Sequence, residues 1–320
     1  MTDLSHTTEP TVDEIALRTI LRELDHDGYD FTTISPDSHA RVLEGREGAK
    51  AANLRDVFGW SLPFARELLD PAVFAALEDA NALVQKNDHW RSLLRVSSLG
   101  GNLFLHSSYP TVENDAVFFG PDSYRFARFV EAALQDGGEV AHLLDLGSGC
   151  GPGGVVAAGQ VDAARVTMFD MNPTALRLAR VNAAAAGIAV EIVEGDSLDQ
   201  LDADDLDLIL ANPPFMVDDS GRNYRDGGDR LGIGATLDWA TKATHRLRPG
   251  GRMLLYSGSP IIGGEDALLA GLAEIADGAD CTLRYNEIDP DIFGEELTEP
   301  VYRDAGVDRI AAVGAVLTKA

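Results

Sequence analysis

Four consecutive residues, Asn212-Pro213-Pro214-Phe215, form the most chemically specific segment of this 320-residue chain. Adjacent prolines set their own backbone angles and carry no amide donor, which leaves carbonyl oxygens and the Asn212 side-chain oxygen as acceptors. An NH2 group offers two hydrogens: Asn212 and the Pro213 carbonyl can hold them while Phe215 stacks on the planar group that bears the nitrogen. Such a clamp orients a nitrogen lone pair. Asn212, Pro213 and Phe215 are therefore candidate catalytic residues, and Pro214 joins them as a candidate contact to the acceptor.

The second chemical segment is Leu143-Leu144-Asp145-Leu146-Gly147-Ser148-Gly149-Cys150-Gly151, followed by Pro152-Gly153-Gly154. It stands where a strand hands over to a helix, and glycines at 147, 149 and 151 admit backbone angles and ligand approaches that a Cβ blocks. Residues 149–154 also match the dinucleotide-binding glycine pattern literally, so the glycines alone do not choose a ligand. Three acids narrow the choice. Asp145 can accept from the ammonium of an amino-acid moiety, which a dinucleotide lacks. Asp170 ends the next strand, where a carboxylate accepts from ribose hydroxyls, and Asp196, beside Ser197, follows the third strand within reach of an adenine amino group. Three acids after three successive strands fit one nucleoside.

Positioning these residues requires an open parallel sheet. Alternating strand and helix patterns run from His142–Leu146 through Val166–Asp170, Pro173–Ala186, Val190–Glu194, Leu206–Ala211 and Gly234–Leu247 to Arg252–Ser257, then Glu265–Ile275. Cys281–Ile288 and Arg309–Thr318 read as an antiparallel closing hairpin. Upstream, Thr11-Val12-Asp13-Glu14 has the form of a capping box opening a helix to Leu24. Helices are expected over Ser38–Leu43, Ala49–Phe58, Pro63–Leu68 and Pro71–Ala80, and then a hairpin of Trp90–Val96 and Asn102–Ser107 around Gly100-Gly101. Helices followed by a hairpin give the order of a winged-helix module. The expected division is a disordered tail over 1–11, a helical winged-helix-like domain over 12–110, a connecting segment with a helix (Tyr124–Leu134) over 111–138, and an α/β domain with a seven-stranded, Rossmann-like, mainly parallel sheet over 139–320.

The bulk composition restrains the partners. A formal charge of −26 with pI about 4.4 gives no global attraction to phosphate. Two cysteines, Cys150 and Cys281, are too few for a disulfide framework or a cysteine-built zinc site, and no metal site is expected. No apolar run is long enough to span a bilayer and the N-terminus lacks signal-peptide character, so a cytoplasmic protein without membrane contact is expected. The stretch 221–234, rich in glycine, reads as a lid or substrate loop whose Tyr224 and Arg225 are candidate substrate contacts; the alternative, slightly favoured for its arginines, is that they only balance neighbouring aspartates.

Together these segments resemble the class I, Rossmann-like methyltransferases over about residues 115–319. The Asn-Pro-Pro-Phe segment is similar to that of release-factor glutamine methyltransferases, ribosomal RNA guanine and adenine methyltransferases, and adenine DNA methyltransferases. The whole chain resembles actinobacterial-type proteins with a winged-helix-like start and a small-methyltransferase domain. The resemblance implies S-adenosylmethionine as cofactor, bound through Asp145, Gly147, Gly149, Gly151, Asp170, Asp196, Ser197 and Asn212, with Phe119 and Pro121 of the segment Phe119-Gly120-Pro121-Asp122-Ser123 lying against it. It implies methyl transfer to an amide or exocyclic nitrogen of a macromolecule, a protein glutamine or an RNA base, in preference to a small metabolite. Methylation or cyclisation of a small metabolite, a non-catalytic nucleoside-binding scaffold and a nicotinamide-dependent enzyme are the alternatives; the last two have no need of an amino clamp.

Overall fold

The computed structural model describes residues 10–111, 113–201, 203–217 and 225–320. The expected tail lies outside them up to residue 9, as do the first four positions of the glycine-rich stretch, including Tyr224.

Helix α1 (Val12–His26) opens with the capping box that Thr11 and Glu14 foretell: the Glu14 amide donates to Thr11 Oγ1 and the Thr11 amide to the Glu14 carboxylate. Helices α2 (Pro36–Glu44), α3 (Leu54–Phe58) and α4 (Pro71–Asp79) follow. Two expected helices shrink. Asn53 accepts from the Asp56 amide at 3.0 Å and so starts α3 at Leu54, not Ala49. Phe64 exchanges two backbone hydrogen bonds with Trp90, at 2.8 and 2.9 Å, which takes that segment out of helix and leaves a 3-10 turn at Arg66–Leu68. In place of one expected hairpin there are two: β1 (Leu83–Lys86) with β2 (His89–Ser92), and β3 (Leu94–Leu99) with β4 (Asn102–Ser107). The expected strand from Trp90 to Val96 divides at Leu93.

Helix α5 (Pro121–Ala133) leads into the main sheet. Its strands are β5 (Glu139–Leu146), β6 (Asp162–Asp170), β7 (Glu191–Glu194), β8 (Leu206–Ala211), β9 (Leu247–Ile262), β10 (Glu265–Asp266), β11 (Cys281–Asp289) and β12 (Arg309–Lys319). The spatial order is β11-β12-β9-β8-β5-β6-β7, with β10 folded back on the end of β9. The sheet therefore has eight strands, not the seven expected; β10 is two residues long, too short to leave an alternating pattern. Pairings among β7, β6, β5, β8 and β9 are parallel, and β12 is antiparallel to both neighbours. Helices α6 (Pro152–Ala158), α7 (Pro173–Ala185), α8 (Gly234–Thr244), α9 (Ala267–Gly278) and α10 (Pro300–Asp304) complete the connections.

Period-two alternation sorts the strand side chains onto two buried faces. Leu144, Leu146, Ile209, Ala211, Met253 and Leu255 face α8 and α9, whereas Leu143, Leu208, Leu210, Leu254 and Tyr256 face α5 and α6. The first hundred residues share a core with the sheet domain: Leu17 and Ile20 of α1 and Leu77 of α4 belong to the apolar cluster that holds Val155 of α6 and Leu178 of α7. Ion pairs Arg177–Asp13 at 2.8 Å and Arg180–Glu14 at 3.1 Å run along the same contact.

Asn182, 1% exposed on α7, joins three parts of the molecule. Its amide nitrogen donates to the carbonyls of Leu105 in β4 (3.0 Å) and Cys150 (2.9 Å), and its oxygen accepts from the Leu105 amide at 2.9 Å. An Asn182→Ala variant leaves these buried backbone groups unpaired and is expected to lose roughly 2–4 kcal/mol of stability, a multiple of the cost of one orphaned group. A melting temperature equal to wild type would refute that linkage.

Candidate functional site

In open α/β sheets, ligands bind beyond the carboxyl ends of the strands where the strand order reverses. Here β5 is followed by β6 on one side and neighboured by β8 on the other, so the reversal lies between β5 and β8. A cavity opens at that point. Gly147, Ser148 and Gly149 line it after β5, Asp170 after β6, Asp196 and Ser197 after β7, and Asn212 and Pro214 after β8. The residues singled out in four separate loops thus meet in one place.

The loop after β5 is held in shape by Asp170. Its carboxylate accepts from the Gly149 amide at 2.8 Å and from the Asn172 amide at 2.9 Å, and burial raises its pKa against the pull of those bonds. Gly147 has φ +67°, and a Cβ there would stand 2.4 Å from the Trp239 ring, so α8 covers the loop only because residue 147 is glycine. Gly151, at the start of α6, packs on Met168 and does not line the cavity.

Asp145 is 2% exposed and lies behind the loop, where its carboxylate accepts from the Gly154 amide at 2.7 Å. Burial raises its pKa to about 7, with Asp170 adding to the effect and the Gly154 bond opposing it. It is not among the lining residues, and its bond ties the first turn of α6 to the end of β5.

The upstream segment is displaced by one residue from expectation. Phe119 is 1% exposed and stacks on Phe104 and His106, at 5.8 and 5.1 Å, inside the core shared with the helical region. Phe118 lines the cavity instead, with Asp122 and Ser123 of α5; Pro121 begins that helix without lining it. Asp122 accepts from the Tyr256 hydroxyl at 2.6 Å and pairs with Arg125 at 3.3 Å, while its burial raises its pKa. It anchors the start of α5 to β9.

The acceptor loop divides inward and outward. Asn212 and Pro214 face the cavity; Pro213 and Phe215 are buried. The Phe215 ring packs edge-on against Tyr256 and Phe293, at 6.2 and 6.0 Å, over Gly258, where a Cβ would come within 2.4 Å of it. Phe215 therefore anchors the loop instead of offering a stacking face, and the aromatic surfaces on the cavity are Phe118, Phe169 and Trp239. Among the described residues nothing hydrogen-bonds the Asn212 amide, which leaves its oxygen open to accept from an N–H of a ligand.

The described part of the glycine-rich stretch is tied by backbone hydrogen bonds to the segment after the Asn-Pro-Pro-Phe loop. The Met216 amide donates to the Arg225 carbonyl at 3.1 Å and the Gly227 amide to the Met216 carbonyl at 2.6 Å. Arg225 pairs with Glu296, so its charge is already answered within the chain. Asp238 and Lys242, paired at 2.8 Å on α8, complete the rim with Trp239. Asp122 and Ser123 stood within a motif that the sequence displayed, whereas helical spacing in α8 carries no sign of which loop Trp239 covers. A larger cavity, about 530 Å³, lies between α1 and the end of α7 and gathers none of the motif residues.

Comparison with known proteins agrees with this architecture. Residues 127–261 match the family described as the methyltransferase small domain. Release factor glutamine methyltransferase of Bordetella pertussis is 32% identical over 192 residues, covering 55% of this chain and 70% of that relative. Ribosomal RNA small subunit methyltransferase C of Pseudomonas putida strain W619 is 33% identical over 120 residues, covering 38% of this chain; the chain spans only 33% of that relative's length. In fold, Trm5b from Pyrococcus abyssi superposes with a TM-score of 0.50 at 15% identity, over 77% of this chain and 68% of that one. With two thirds of a glutamine methyltransferase covered at this identity, and with four motif loops meeting at the switch point of the sheet, the chain belongs to the methyltransferase small domain family.

Proposed function

We propose that this protein is an S-adenosylmethionine-dependent N-methyltransferase of the cytoplasm, acting on a planar amide or exocyclic amino nitrogen of a macromolecule, either a protein glutamine or an RNA base. The observation that carries the reading is the meeting of Asn212 with Gly147, Gly149, Asp170 and Asp196 on one cavity. Among the described residues no helix is long and apolar enough to cross a membrane.

The cavity suits the cofactor. Asp170 and Asp196 present acceptors for ribose hydroxyls and an adenine amino group, and Ser148, a lining residue, has a buried Oγ without a hydrogen-bond partner among the described residues. Bound S-adenosylmethionine supplies an activated methyl group and a good leaving group, so the protein has to position and stabilise, not to form a covalent intermediate.

In this reading Asn212 accepts one N–H of the acceptor and the Pro213 carbonyl the other. Those two bonds fix the direction of the nitrogen lone pair and favour the positive charge that grows on nitrogen. Pro213 and Pro214 stiffen the loop, and Phe215 holds it to β9. Asp145 and Asp170 keep the glycine loop in place beneath the cofactor. Tyr224 falls outside the described residues, and Arg225, paired with Glu296, is not assigned to substrate.

The test supplies methyl-labelled S-adenosylmethionine and the protein to an extract of cells lacking it, with Asn212→Ala as control. Label is expected in protein or RNA and absent from the control. Label confined to small molecules would replace the macromolecular acceptor with a metabolite, and no label in any fraction would return the chain to a non-catalytic role.

A further inference from the structure

The chain carries 52 acidic residues against 26 lysines and arginines, and only four lysines: Lys50, Lys86, Lys242 and Lys319. Two of those four lie together in a groove of about 340 Å³. It is lined by Arg46, Lys50, Lys86, His89 and Arg91, with Glu47 as its one carboxylate. Arg46 has a counter-charge in Asp56 at 3.6 Å. Among the described residues, Lys50, Lys86 and Arg91 have none.

The hairpin geometry explains how the charges come to share a face. β1 and β2 pair Lys86 with His89 and Val84 with Arg91. Alternate strand residues point the same way, so Val84, Lys86, His89 and Arg91 stand on one face of the hairpin, with Gln85 and Trp90 on the other. Trp90 packs edge-on against Phe74 at 5.2 Å and bridges Phe64, which fixes the hairpin to α4 and points its cationic face outward. In a chain with so many free carboxylates, three uncompensated cations on one groove resist each other without a partner that answers them.

We propose that this groove holds the phosphate backbone of a nucleic-acid strand whose acceptor base enters the cavity beside Asn212. The inference rests on the methyltransferase reading above and selects nucleic acid over protein as its substrate. Placement supports it. Leu62 and Pro63 form the groove's inner side, and the adjacent Ser61 accepts from the Tyr109 amide at 3.1 Å. From Tyr109 the chain needs five residues to reach Asn114 on the cavity wall, a span of at most about 18 Å. One strand of a few nucleotides bridges that distance. The chain's overall negative charge does not forbid it, because at physiological salt the field of exposed charges fades over about 8 Å and the contacting strand senses the groove.

The test measures binding of a fluorescein-labelled, single-stranded RNA of mixed sequence to the full chain by anisotropy, across a salt series. The comparison is wild type, the triple variant Lys50→Gln/Lys86→Gln/Arg91→Gln, and Arg18→Gln/Arg22→Gln in the cavity beside α1. Wild-type affinity is expected to fall with salt, and the triple variant to bind at least tenfold more weakly with a salt slope shallower by about 2, the loss of three phosphate contacts on a single strand. The Arg18/Arg22 variant is expected to match wild type. RNA affinity unchanged in the triple variant would overturn the groove, as would a wild type that ignores RNA and binds polyglutamate. Melting temperature and S-adenosylmethionine affinity are read on the same samples. Cofactor binding intact with no groove effect sinks this inference alone, whereas a wild type that does not bind the cofactor sinks the methyltransferase reading.

Discussion

Turnover of an Asn212→Ala variant is expected to fall by about 10²–10³-fold while its dissociation constant for S-adenosylmethionine stays within about twofold of wild type, the magnitude of deleting one preorganised partner of developing charge. The direction follows from where the side chain sits. Asn212 follows β8 and lines the cavity, and among the described residues no group hydrogen-bonds its amide. Truncation therefore orphans nothing within the fold. Its backbone is restrained by β8 on one side and by Pro213, Pro214 and the buried Phe215 on the other, so the loop keeps its path. Single-turnover kinetics combined with calorimetric titration separates the two quantities. Equal losses in both would show that Asn212 serves the cofactor, and an unchanged turnover would remove the amino clamp from the mechanism.

Asp170→Ala is expected to act on the other side of that division. Its carboxylate holds the Gly149 and Asn172 amides and is the acceptor assigned to ribose. Losing a buried bond to a ligand costs roughly 1–3 kcal/mol, so the cofactor affinity should fall by about 5- to 150-fold. Release of the Gly149 amide adds to the loss, because the loop after β5 is no longer tied to β6. Asp170→Asn separates the two contributions: one side-chain oxygen remains to accept from the loop, so the melting temperature recovers further than the affinity. Calorimetry with S-adenosylmethionine checks the first value and thermal melting the second. A dissociation constant equal to wild type in Asp170→Ala would displace the ribose from the end of β6.

Much of this site was legible before any coordinates. The order of strands and helices from β5 onward follows from hydrophobic periodicity, because a parallel strand buried on both faces reads as a short apolar run bounded by turn residues. The glycines after β5, the acids after β6 and β7 and the Asn-Pro-Pro-Phe loop after β8 each stand at a strand end, and one rule of open sheets brings all strand ends to the same edge. That is why Asp170, Asp196 and Asn212 could be assembled into one cavity from spacing alone.

Tertiary structure decided which face each of those residues presents. Neighbouring residues in a loop point in opposed directions, and the choice depends on what packs behind them. Phe118 faces the cavity because Phe119 is held by Phe104 and His106 from the N-terminal hairpin; Phe215 turns inward because Gly258 on β9, 43 positions later in the chain, leaves room for its ring. Asp145 is buried behind the loop, since α6 begins at once and its Gly154 amide claims the carboxylate. The same holds for Asn182 and Trp239, whose partners are remote in sequence. Local spacing thus determined the elements, the strand-end loops and the chemistry they carry, whereas long-range packing alone decided the direction of each side chain, because the contacts that set it join segments with no periodic relation to one another.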